Sequence, residues 1–164
     1  MHTWSKMRSK LEKEHLAPAL RGRIQYFATS YSKCPDHEGR AAILLDGKEI
    51  LSGSYYEHWS KAHLLPKDEN LEIRLRYAFT LMDNTALQFG QFDQQCFYNA
   101  FAEFDNQSIE QSLKSENMLV RIFAILDKRV GKRRLQKMRD TIAEEPEMFQ
   151  LFYHIRTQAE GMTA

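Results

Sequence analysis

The sequence predicts an α+β protein: a short N-terminal helix, a three-stranded antiparallel β-meander, and a helical C-terminal half packed on the sheet. Three observations carry that expectation. Side chains alternate with period two from Arg23 to Tyr31. An Asp46-Gly47 pair separates two apolar runs. From Tyr55 onward the apolar residues recur at spacings of three and four.

Taken in order, Trp4, Met7 and Leu11 share one face of a helix expected from Trp4 to Leu16, with Thr3 as its cap and Pro18 ending it. RIQYFATSY, from Arg23 to Tyr31, is enriched in β-branched and aromatic residues and reads as the first strand, with Ile24, Tyr26 and Ala28 on one face. Ser32 to Gly39 is a polar loop. Arg40 to Leu45 and Lys48 to Gly53 then form a hairpin, because Asp-Gly supplies the two positive-φ residues of a type I′ turn. Tyr55, Trp59 and Ala62 suggest a short helix, and Leu71, Leu75, Ala78, Phe79 and Met82 a longer one after Pro66. The stretch from Ala86 to Gln91 fits a loop or a further strand. A third stripe follows: Phe92, Cys96, Phe97, Ala100, Phe101 and Phe104.

Ser108 to Leu113 reads as a helix of one or two turns. Ser115 is the expected cap of the next helix, whose apolar positions Leu119, Ile122, Phe123, Leu126 and Val130 run up to Gly131, a C-cap or a bend. Leu135, Met138 and Ile142 predict a further helix, and Pro146 opens a last one bearing Phe149, Phe152 and Tyr153. From Gln158 the chain is expected to fray. No linker divides the 164 residues, so a single domain is expected, with a meander at 22–53 and a helical region at 54–157.

Composition narrows the function classes. Lys and Arg number 23 against 22 Asp and Glu, so no net field draws a polyanion and any electrostatic role must be local. Cys34 and Cys96 read as reduced thiols of a cytoplasmic protein. Neither an export signal nor a membrane span is predicted.

The sharpest local feature is basic: Lys128, Arg129, Lys132, Arg133, Arg134, Lys137 and Arg139 fall within twelve residues. Packing accounts for much of it, since Lys128 and Arg129 would sit at the negative end of a helix finishing at Gly131, and Lys132, Arg133 and Lys137 lie opposite Leu135. An acidic protein partner, or nucleic acid as the less favoured partner, would use the same cations. A helix-turn-helix reading of Ser108 to Arg129 is poor, because Glu116 would meet phosphate with the wrong sign. Cys34, Asp36 and His37 offer two metal ligands at most, and His58 and His63 are five apart, off one helical face. The carboxylates Asp36, Glu38, Asp46 and Glu49 gather on the hairpin side, where acidic loops are ordinary. Tyr55, Tyr56 and Trp59 cannot all face one core, which makes them an interface candidate.

Four segments, WSKMRSKLE at Trp4 to Glu12, GRIQYFATSY at Gly22 to Tyr31, EGRAAILLDGKEI at Glu38 to Ile50 and LDKRVGKRRL at Leu126 to Leu135, resemble a family of small bacterial cytosolic proteins. The resemblance implies a bacterial cytoplasmic protein and transfers no catalytic residue or ligand.

No constellation of residues singles out a reaction, so no catalytic residue, cofactor or metal is assigned. The leading expectation is a non-catalytic binding or accessory protein acting through protein contacts. Its contact regions would be the seven cations from Lys128 to Arg139 and the aromatic patch Tyr55, Tyr56 and Trp59. A nucleic-acid-associated protein, and a small hydrolase or metal-dependent enzyme built on the Cys34 loop, are the alternatives.

Overall fold

Thr3 opens the first helix as predicted, its hydroxyl accepting from the Lys6 amide at 3.3 Å. In the computed structural model, which describes residues 3–30, 39–54 and 94–162, helix α1 runs over Trp4–Ser9 and continues as a π-helical stretch, Lys10–His15. The wider turn has a packing logic. Met7, Leu11 and Leu16 are all buried, and the last two are five apart, a spacing that i→i+5 geometry brings into line and an α-helix does not.

Strands β1 (Ile24–Ser30), β2 (Gly39–Leu45) and β3 (Lys48–Ser54) form an antiparallel sheet in that order. The hairpin turn is the predicted one, with Asp46 at φ 51 and Gly47 at φ 85. Register pairs Tyr26 with Ile43 and Ala28 with Ala41, so these buried residues share the inner face. A register shift at Ile43/Leu44 skips Ile50 on β3 and marks a bulge. Gly39 has a steric reason to be glycine: a Cβ there would run into the Gln94 side chain and the Thr29 carbonyl.

The helical half begins, among the described residues, with α2 (Gln94–Asp105), whose Phe97, Ala100, Phe101 and Phe104 are buried as the stripe predicts. Helix α3 (Ile109–Leu113) carries a full capping box between Ser108 and Gln111. Helix α4 (Met118–Ile125) is apolar on nearly every side and is the central helix; of its eight residues every one but Arg121 is buried. Phe123 on α4 meets Tyr26 of the sheet and Phe97 and Phe104 of α2 edge to face, at centroid separations of 5.5, 6.0 and 5.7 Å. Each such ring contributes about 1.5–3 kcal/mol by burial, plus a smaller term from edge-to-face geometry. Helix α5 (Lys132–Met138) and helix α6 (Glu147–Ala159) complete the order, with a 3₁₀ turn, Ile142–Glu144, between them.

Four expectations are corrected. Asn117, not Ser115, caps α4 by accepting from the Leu119 amide; the Ser115 hydroxyl is engaged by Glu103. Helix α4 stops at Ile125 instead of continuing to Gly131, so Lys128 and Arg129 lie in a turn and not on a helix end. Gly131, at φ −86, is the N-cap of α5 and not a C-cap, and Ile142 lies beyond the end of that helix. The chain does not fray at Gln158: Gly161 at φ 71 closes α6, with the Met162 amide donating to the Thr157 carbonyl and the Gly161 amide to that of Gln158. The expected helices between Tyr55 and Met82, the stretch from Ala86 to Gln91, Phe92 and the loop from Tyr31 to Glu38 lie outside the described residues.

Candidate binding surface

The basic segment divides at Gly131. On its N-terminal side the chain turns a corner around Asp127, whose side chain is 0% exposed. The Arg129 guanidinium donates to both carboxylate oxygens, Nε at 3.0 Å and Nη2 at 2.9 Å, and the Arg129 amide donates at 2.7 Å. His15 Nδ1 lies 3.4 Å from the other face of the pair at Oδ2. Burial pushes the Asp127 carboxyl up, but the bonds from His15 and Arg129 outweigh it and hold the group below the usual carboxylate range. Both partners also touch one ring: His15 meets Phe104 edge to face at 5.3 Å, and the Arg129 guanidinium stands 5.6 Å from its centroid.

The backbone of the corner is tied just as closely. The Ala17 amide donates to the Leu126 carbonyl at 2.9 Å and the Lys128 amide to the His15 carbonyl at 2.7 Å. A second arginine, Arg156 of α6, is buried and donates to the carbonyls of Ile125, Asp127 and Val130, while its Nε donates to Glu160. It thereby satisfies carbonyls that the end of α4 leaves open. A buried carboxylate beside an imidazole is a general-base arrangement in hydrolases. Here Arg129 bonds both oxygens of the carboxylate, and the cluster ties the corner together.

On the C-terminal side of Gly131 the cations behave differently. Arg134 pairs with Glu110 of α3 at 2.9 Å, which holds the Glu110 carboxyl below its ordinary value. Lys132, Arg133 and Lys137 are exposed opposite buried Leu135, as is Lys128 in the turn, and among the described residues none of the four has an acidic partner. Lys132 and Arg133 occupy the first turn of α5, where the helix dipole disfavours cations; no acid stands in that turn and no side chain caps it.

Arg139, just past α5, lines a recess of about 370 Å³ together with Ile142, Tyr153, His154, Thr157, Gln158 and Met162. The Tyr153 hydroxyl donates to the Leu135 carbonyl at 2.7 Å, which fastens the recess to α5. The recess thus lies on the Leu135 side of α5, and of the cations from Lys128 to Arg139 only Arg139 lines it among the described residues.

The structure separates what the sequence had grouped. Arg129 and Arg134 are committed to Asp127 and Glu110, whereas Lys128, Lys132, Arg133 and Lys137 face solvent and Arg139 reaches the recess. Tyr55, Tyr56 and Trp59, and the Cys34, Asp36, His37, His58 and His63 set, lie outside the described residues; among the described residues no three acids, His or Cys gather where a metal would sit. On the hairpin, Asp46 pairs with Arg23 and Glu49 with Arg40. Sequence reasoning missed Asp127, His15 and Arg156. One signal was available: an aspartate inside the apolar run from Leu119 to Val130 must be paired if it is buried, and an arginine stands two residues on.

Among the described residues no helix is long and apolar enough to cross a membrane. No curated protein and no solved structure matches the chain. Over residues 3–157 it matches the model of the SF0329 protein family, and the chain belongs to that family.

Proposed function

We propose that the chain is a non-catalytic binding protein that docks an acidic protein partner on helix α5, in a bacterial cytoplasm as the resemblance of its four segments implies. One observation carries this reading: Lys132 and Arg133 sit unpaired, among the described residues, at the helix end where cations cost stability. A placement that folding disfavours is explained by a role outside folding. Lys137, one turn on from Arg133, extends the same positive face. The near-neutral total charge keeps the attraction local, which suits a partner with a matching acidic patch better than a long polyanion.

The test is affinity capture with the purified full chain, followed by the double variant Arg133→Glu/Lys137→Glu. The variant is expected to keep its melting temperature and lose the specifically captured acidic protein. Retention of every specific partner by the variant refutes the reading. Short duplex DNA at low salt is the control: binding that falls steeply as salt rises would transfer the surface to nucleic acid.

A further inference from the structure

We infer that the partner docked on α5 is a second copy of this chain, turned about a two-fold axis so that the α5 cations of each copy meet Asp140 and Glu144 of the other. The inference rests on the proposed α5 surface and names its occupant. Two exposed patches of opposite sign follow one another along the chain. Lys132, Arg133 and Lys137 form the positive one; beyond the end of α5 the chain reaches Asp140 and Glu144, both exposed. No ion pair joins either acid to a base among the described residues. The half-buried acid beside them, Glu145, is taken by Arg121 at 2.6 Å. Glu147, also exposed, extends the negative patch into the first turn of α6.

Charge complementarity selects a second copy over an unrelated acidic protein. A uniformly acidic surface laid over α5 meets Lys132, Arg133 and Lys137 with opposite charge, but it meets Asp140 and Glu144, just beyond the helix, with like charge. A two-fold axis between the patches removes that conflict, because the cations of one copy then lie on the acids of the other and the same contact is made twice. Whole copies do not repel each other, since 23 Lys and Arg stand against 22 Asp and Glu. Arg134 and Glu110 pair with each other within one copy and stay out of the exchange.

Sedimentation equilibrium of the full chain at low salt tests this with two charge reversals, Arg133→Glu/Lys137→Glu and Asp140→Lys/Glu144→Lys. Wild type is expected to show an average mass that climbs from monomer toward dimer with concentration and falls back as salt rises. Each reversal is expected to weaken self-association at least about tenfold, because like charges then face each other across the axis. An equimolar mixture of the two variants is expected to associate again, as is the chain carrying all four changes, since both restore opposite signs at both contacts. Lys137→Glu and Glu144→Lys serve in the same scheme if a double variant does not fold. A dimer that survives either reversal overturns the inference, and so does a mixture that stays monomeric. A wild type that is monomeric at every concentration also overturns it. Capture of another acidic protein that Arg133→Glu/Lys137→Glu abolishes then leaves the α5 reading standing, and capture indifferent to that variant removes both.

Discussion

The corner at residues 126–131 and the helix that follows it carry the same kind of side chain and use it in opposite ways. Arg129 spends its guanidinium on a buried carboxylate and an aromatic ring, and its own amide bonds the same carboxylate. Arg133, four residues on, is exposed with no acid beside it among the described residues. The difference lies in what the surrounding fold presents. The corner is met by His15 from the N-terminal segment and by Arg156 from α6, so its polar groups must be satisfied internally. Helix α5 meets the core through Leu135 and Met138, pairs Arg134 with α3, and leaves Lys132, Arg133 and Lys137 to solvent. A dense run of cations is thus a structural joint at one end and an available surface at the other.

The largest break in this comparison is expected from Arg156→Met. It leaves the Ile125, Asp127 and Val130 carbonyls short of a donor in a buried place, and urea unfolding should show a loss of about 3–5 kcal/mol. Asp127→Asn comes next. It removes the charge that His15 and Arg129 satisfy, at about 1.5–3 kcal/mol by the same measurement. The variant also has a pH signature. Because the folded-state pKa lies below the unfolded value, Asp127 contributes its stability above about pH 4 and loses it as pH falls through the folded value. Wild type should therefore lose stability more steeply than Asp127→Asn in acid unfolding below about pH 4.

Much of the sheet and its caps was readable because the causes are local. Asp46-Gly47 sets its own turn, and Thr3 caps with its own hydroxyl. The alternation in β1 groups Ile24, Tyr26 and Ala28 on one face, and that face is the buried one. The end of α4 was not readable, for a physical reason. The apolar period runs on through Leu126 and Val130, and what breaks the helix is a set of bonds from His15, Ala17 and Arg156, all remote in sequence. The division of the basic segment was hidden in the same way, since Arg134 finds its acid on α3. Periodicity records which side chains face inward; it does not record which polar groups find each other across the fold.

On the surface side the expected effects are smaller and one has the opposite sign. Lys132→Glu replaces a cation with an acid in the first turn of α5 and should raise stability by about 0.3–1 kcal/mol, read as a higher melting temperature, while weakening partner capture. A fall in stability would show that Lys132 has a structural role after all. Arg134→Ala breaks an exposed pair with Glu110 and should cost no more than about 1 kcal/mol.

The contrast between joint and surface is tested most directly by urea unfolding of Arg129→Ala and Arg133→Ala side by side, the same chemical change made four residues apart. Arg129→Ala is expected to lose about 1.5–3 kcal/mol and Arg133→Ala to stay within about 0.5 kcal/mol of wild type. Equal losses in the two variants, or a larger loss at Arg133, would contradict the account.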